Sequence, residues 1–283
     1  MYIDSHVHFW RLARGDYGWI KPDNPILYQD FTPEHLLPFL KEESVGGCIA
    51  VQAAPTIAET EFLLSLIIDH PWILGVVGSL DPYLVEAEYI LHYERLRVNR
   101  MFKGVRLNGD QLERIARYGG EALLRLKRWV KDKVTVDLLV RDHQLEHALT
   151  LLRFVPELHV VVNHLACPPY GQEHLSEQWA QHMSALARYP NVMVKISGMI
   201  TPAGNRPQVL RPYVTHLLEA YGPSRLMYGS DWPVATQKGS YADVVRLLTQ
   251  VLPEGLTERE LHAIRFGSAC DFYGVSECQE NNS

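Results

Sequence analysis

Two histidines one residue apart, His6 and His8, stand near the start of the chain in Tyr2-Ile3-Asp4-Ser5-His6-Val7-His8. On an extended strand alternate side chains share a face, so the two imidazoles point the same way, about 7 Å apart along the chain. At the end of a buried strand such a pair could bind a metal or donate hydrogen bonds to a developing anion. Taken alone, His-x-His is a weak signal, common by chance, and favours one exposed and one core histidine. Two distant stretches change that. Ser230-Asp231-Trp232-Pro233 sets a carboxylate just after the apolar run Leu226-Met227-Tyr228, and Asn163-His164 sets a third imidazole in the same kind of position. Imidazoles and a carboxylate are the groups needed to activate a water, polarise a carbonyl and protonate a leaving group. Gln52, Asp81, Arg106, Lys195 and Ser197 also fall at the ends of apolar runs.

The elements that would bring these residues together alternate along the whole chain. Short β-rich runs are predicted as strands over residues 2–8, 47–53, 73–80, 101–107, 134–140, 159–162, 192–196 and 226–229. Helical patterns follow each of them, with Pro33 at a first helical position and capping boxes at Thr56-Ile57-Ala58-Glu59 and Thr257-Glu258-Arg259-Glu260. Helical segments over 111–132 are broken at Gly119-Gly120. Eight strands, each followed by a helix, is the count for a closed (β/α)8 or TIM barrel, an α/β fold. A doubly wound open sheet would carry fewer strands and a Gly-rich first turn, and no such turn is present. In a barrel the C-terminal strand ends converge on one face, which is where the residues above would gather. A single barrel domain over residues 1–274 with a polar tail at 275–283 is expected. The stretch from Phe9 to Phe31 exceeds the usual βα loop, which points to function.

At 283 residues, 47% of them hydrophobic, the chain can bury a large core. A formal net charge of -6 offers no footprint for nucleic acid or an anionic membrane surface. The basic cluster Arg125-Leu126-Lys127-Arg128 reads as a solvated helix face. Cys48, Cys167, Cys270 and Cys278 form no CxxC, which suits a reducing compartment. No basic stretch followed by an apolar one opens the chain, and the longest apolar run, residues 62–68, is broken by Ser65. A cytoplasmic protein without nucleic-acid or membrane partners is therefore expected; its assembly, including a homo-oligomer, is left open.

Ile3-Asp4-Ser5-His6-Val7-His8-Phe9-Trp10, Tyr17-Gly18-Trp19-Ile20, Gly104-Val105-Arg106, Lys195-Ile196-Ser197-Gly198 and Tyr228-Gly229-Ser230-Asp231-Trp232-Pro233-Val234 together resemble the lactone-hydrolysing branch of the amidohydrolase superfamily. That branch includes L-fuconolactone and L-rhamnonolactone hydrolases and pyrone-dicarboxylate lactonases, and the resemblance runs through nearly the whole chain. It implies a TIM barrel of the amidohydrolase type that opens a small sugar-acid lactone. Asp231 would be the general base, and His6, His8 and His164 would polarise the carbonyl or hold the metal that does so. Arg106, Tyr17, Trp19, Gln52, Lys195 and Ser197 would contact substrate. Arg106 offers a planar fork for a carboxylate or for hydroxyls, with an ordinary salt bridge as its competing use. Tyr17 and Trp19 would stack on the sugar ring or plug their loop.

Two departures bear on cofactor and substrate. Many relatives carry a lysine three residues after the Asp-His pair, where this chain reads Asn163-His164-Leu165-Ala166-Cys167-Pro168. Metal-dependent members use a lysine or glutamate ending strand four and a histidine ending strand five; here Arg106 and Val140-Arg141 stand there. No cofactor is therefore expected to be required, and a dinuclear site is not expected. A single divalent metal such as zinc on His6, His8 and Asp231 is sterically conceivable. The competing readings are a metal-dependent hydrolase or decarboxylase of an aromatic or unsaturated acid, and a catalytically silent ligand-binding barrel.

Overall fold

The computed structural model describes residues 2–170 and 175–275; Cys278 and the tail beyond residue 275 lie outside them. Eight strands form one parallel sheet in sequence order: β1 Tyr2–Val7, β2 Val45–Val51, β3 Ile73–Gly78, β4 Phe102–Asn108, β5 Thr135–Leu139, β6 Val160–Val162, β7 Val192–Ile196 and β8 Leu226–Tyr228. Helical segments follow every strand, so the fold is the (β/α)8 barrel that the alternation predicts. No helix among the described residues is long and apolar enough to cross a membrane.

Period-two alternation sorts the strand residues into two cores. Cys48, Ala50, Val76, Val105, Val136, Val160 and Val194 face outward and pack under the helices. Ile49, Val51, Val77, Val161 and Met227 face inward, where Phe266, Phe272 and Tyr273 from the end of the chain pack against them. β1 breaks the simple rule. Ile3 belongs to the inner core and Val7 to the outer one, although simple alternation would put residues 3 and 7 on one face. The pairing of β1 with β2 shifts register between Asp4 and Val7, and this irregularity turns His6 inward above Ile3.

β8 meets β1 through the turn that carries Asp231. The Asp231 N–H donates to the His6 carbonyl at 2.9 Å, and the His8 N–H donates to the Trp232 carbonyl at 2.7 Å. Asp4, fully buried, braces this seam: one carboxylate oxygen accepts the Ser230 N–H at 2.8 Å and the other the Tyr241 hydroxyl at 2.9 Å. The approach demands a glycine, since a Cβ on Gly229 would lie 2.8 Å from that of His6.

Two local expectations are refined. The break at Gly119-Gly120 separates the helices Gly109–Tyr118 and Glu121–Lys131, with both glycines at positive φ. Arg125, however, is not part of a solvated face. It is 7% exposed, its guanidinium lies 4.0 Å from the Tyr89 ring centre, and it donates to the Pro82 and Leu84 carbonyls. An arginine buries well where a ring face and carbonyls replace its water.

Candidate active site

The inward turn of β1 and the β8–β1 seam bring His6, His8 and Asp231 to one point. His6 Nε2 and His8 Nε2 are 3.2 Å apart, and Asp231 Oδ1 lies 3.4 Å from the latter and 3.8 Å from the former. His164 Nε2 completes the group at 3.7 Å from the same oxygen, its ring centre 4.5 Å from that of His6. Strand β6 ends at Val162, and His164, Leu165, Ala166 and Cys167 all take positive φ, between 45° and 60°. Asp231 does so as well, at 62°. Such backbone is strained for non-glycine residues and persists where its surroundings over-determine it. Here Trp179 Nε1 donates to the Leu165 carbonyl at 2.7 Å, and Ser197 Oγ accepts the His164 N–H at 3.2 Å. Gly198 lets the His164 ring pass, because a Cβ there would sit 2.5 Å from its Nδ1.

Each ring is oriented from behind. His8 Nδ1 donates to the Val51 carbonyl at 2.8 Å, which turns Nε2 towards Asp231. His164 Nδ1 meets Ser197 Oγ at 2.9 Å. Burial pushes His6 well below the usual histidine range, helped by the Lys195 charge. Burial likewise brings His164 down to about 4, against the pull of Asp231. For Asp231 burial works upward, but attraction to His164, a hydrogen bond with His8 and the charge of Arg106 hold it below the usual carboxylate range. The result is one carboxylate anion among imidazoles.

His8, His164 and Asp231 lie at the floor of a cavity of about 850 Å³ whose wall also includes Trp19, Gln52 and Arg106, and His6 is fully buried behind them. Three of the residues expected to contact substrate lie elsewhere. Tyr17 packs behind the wall against Trp10, with Ile20 and Leu27, because the long loop folds its aromatic side inward. Lys195 lies inside the barrel, below the cavity and outside its wall. It is fully buried and donates to Asp137 Oδ2 at 2.6 Å and the Ser5 carbonyl at 2.7 Å, with His6 Nδ1 at 3.4 Å. Ser197 is buried with its hydroxyl on His164. Asp81, at the end of a predicted strand, bonds the Tyr83 N–H and is not in the wall. Reading strand ends alone missed Asn108, Arg141, Tyr170 and Thr201, which do line the cavity. Asn108 and Arg141 follow inward-facing strand positions, so counting alternation further would have found them; Tyr170 comes from a loop and Thr201 from the short helix Ile200–Ala203, and neither carries a sequence signal.

His6 Nε2, His8 Nε2 and Asp231 Oδ1 form a triangle whose edges resemble the ligand spacing of about 3.4 Å around a tetrahedral ion with bonds near 2.1 Å. The donor set therefore fits one divalent metal ion. No second group of metal-ligating side chains occurs among the described residues.

Residues 3–275 match the family model described as amidohydrolase. The chain belongs to the amidohydrolase family. This amidohydrolase is 32% identical to an L-fucono-1,5-lactonase of Burkholderia ambifaria, over 96% of the chain and 95% of the relative. It is 31% identical to an L-fucono-1,5-lactonase of Burkholderia multivorans, over 97% and 96%. Among solved structures it is similar to a zinc-bound amidohydrolase from Burkholderia multivorans, with a TM-score of 0.88, 29% identity, and 98% and 100% of the two chains covered.

Two outcomes follow from the geometry. Lys195→Met leaves the Asp137 carboxylate buried without its cation, so urea unfolding should show a loss of about 3–5 kcal/mol; a loss below 1 kcal/mol would return Lys195 to a peripheral role. His164 binds its proton more weakly folded than unfolded, where its value is 6.5. The contribution of the neutral ring is then complete above about pH 6.5 and is lost as pH falls towards about 4. The stability difference between the wild type and His164→Asn should shrink by about 3 kcal/mol across that window; a constant difference would contradict the neutral ring.

Proposed function

We propose that this amidohydrolase opens a sugar-acid lactone, with L-fucono-1,5-lactone or its close relative L-rhamnonolactone as substrate, by attack of a water activated at Asp231. The observation that carries this reading is the Asp231 carboxylate held within 3.4–3.8 Å of three imidazole nitrogens, with Asp231, His8 and His164 in the cavity wall. Its relatives, L-fucono-1,5-lactonases over nearly their full length, support the substrate class.

In this reading Asp231 takes the proton of the attacking water. His8 Nε2, 3.4 Å away, helps to orient that water. His164 faces the lactone carbonyl from the cavity wall, and the buried His6 ring backs it from directly behind. With Lys195 donating to Nδ1 of His6, its ring keeps the proton on Nε2, towards Asp231. Ser197 can place the His164 proton on Nε2 in the same way, ready for the developing oxyanion. Collapse of the tetrahedral intermediate expels the ring oxygen, which receives the proton from Asp231. Arg106 and Gln52 bind the hydroxyls and the Trp19 indole covers the apolar face of the ring. A zinc ion on His6, His8 and Asp231 would, when bound, supply Lewis acidity at the same carbonyl.

A pH-indicator screen of aldonolactones tests the substrate class, because ring opening releases acid; acid release from L-fucono-1,5-lactone is expected, and silence across the series would refute it. Asp231→Asn should lower kcat by about 10²–10⁴-fold with the fold intact by circular dichroism. Near-normal turnover would remove Asp231 from the mechanism. The proposed donor array works without a cation, so chelated protein should keep most of its turnover. Zinc titrated into that protein should bind at one equivalent per chain. Complete loss on chelation, reversed by zinc, would assign His6 and His8 to ligation.

A further inference from the structure

We propose that Glu59, a carboxylate outside the cavity, is the positioning residue that aims both Arg106 and Trp19 at the bound lactone. The inference rests on the reading of those two side chains as substrate contacts. Glu59 occupies the third position of the helix Ile57–Leu66, where a capping box would return its side chain to the Thr56 N–H. That N–H bonds the Ala54 carbonyl at 2.8 Å instead. Glu59 turns inward, is fully buried, and accepts the Ala53 N–H at 3.0 Å with one oxygen and the Ala54 N–H at 2.6 Å with the other.

A peptide unit is planar, so fixing its N–H also fixes the carbonyl at its other side. The Ala53 N–H shares its plane with the Gln52 carbonyl, and the Ala54 N–H shares its plane with the Ala53 carbonyl. The Gln52 carbonyl receives Arg106 Nη1 at 2.9 Å, and the Ala53 carbonyl receives Trp19 Nε1 at 2.7 Å. One carboxylate therefore clamps two successive peptide planes, and the far edge of each plane holds a cavity-lining side chain. Both planes lie beyond the last residue of β2, Val51. Burying a carboxyl is costly unless its oxygens are occupied, and a turn alone would not need this arrangement.

Glu59→Gln tests the clamp. A carboxyl oxygen accepts in either protonation state, whereas the amide nitrogen of glutamine does not, so one plane loses its anchor. The KM for the lactone should rise about 3- to 10-fold with kcat changed less than threefold, the scale of one hydrogen bond. The rise should be smaller in a Trp19→Phe background than in the wild type, because part of the clamp's effect runs through the Trp19 bond. Independently of substrate, the indole N–H resonance of Trp19, assigned by its disappearance in Trp19→Phe, should shift in Glu59→Gln. If Glu59→Gln does not fold, Glu59→Asp, with the shorter arm, is read against the same expectations. A lowered melting temperature with unchanged KM and an unmoved indole resonance would reduce Glu59 to a stabiliser of the turn. Absence of lactone turnover in the wild type would instead refute the substrate reading, and the resonance would still decide the clamp.

Discussion

Closure of the eighth strand onto the first is the constraint on which the rest of the site depends. The backbone of residues 231 and 232 exchanges hydrogen bonds with that of His6 and His8. The carboxylate and the two imidazoles are thereby set by main chain, whose geometry has few soft degrees of freedom, and only the side-chain torsions remain to be settled. Asp4 reinforces this seam from the helix side of the sheet, tying Ser230 and Tyr241 to the first strand. A barrel that did not close here would separate residues more than two hundred positions apart.

Burial does the electrostatic work. In water the three imidazoles would titrate near neutrality and Asp231 would be one carboxylate among many. Removed from solvent, His6 and His164 lose affinity for protons, while His164, the hydrogen bond with His8 and the charge of Arg106 hold Asp231 below the usual carboxylate range despite its own desolvation. The buried Lys195–Asp137 pair lies below the cavity, satisfied by Ser5 and by Tyr273, which donates to the second Asp137 oxygen at 2.8 Å. Its ammonium meets the one nitrogen of His6 that faces away from the cavity. A lysine that reads as a substrate contact thus supports the site from underneath.

Support of this kind recurs around the cavity. Trp179 and Ser197 hold the left-handed stretch that presents His164, Val51 holds His8, and Glu59 holds the two peptide planes behind Arg106 and Trp19. In each case a group without access to substrate fixes the direction of one that has it, which is how a site reaches the sub-ångström placement that proton transfer requires.

By itself the sequence determined the barrel, through eight alternations of strand and helix pattern, and it singled out His6, His8, His164 and Asp231 by their positions at strand ends. Those features are local: periodicity and strand termini follow from the backbone's own geometry. Only the tertiary structure decided which side chains face the cavity. The register shift in β1, the layer at which Lys195 stops, the inward fold of Tyr17 and the turn of Glu59 away from its capping box all depend on neighbours distant in the chain. A period-two pattern distinguishes inside from outside. It carries no information on height along the barrel axis or on which of two hydrogen-bonding partners a side chain takes, because both are set by packing among elements that meet only once the sheet has closed.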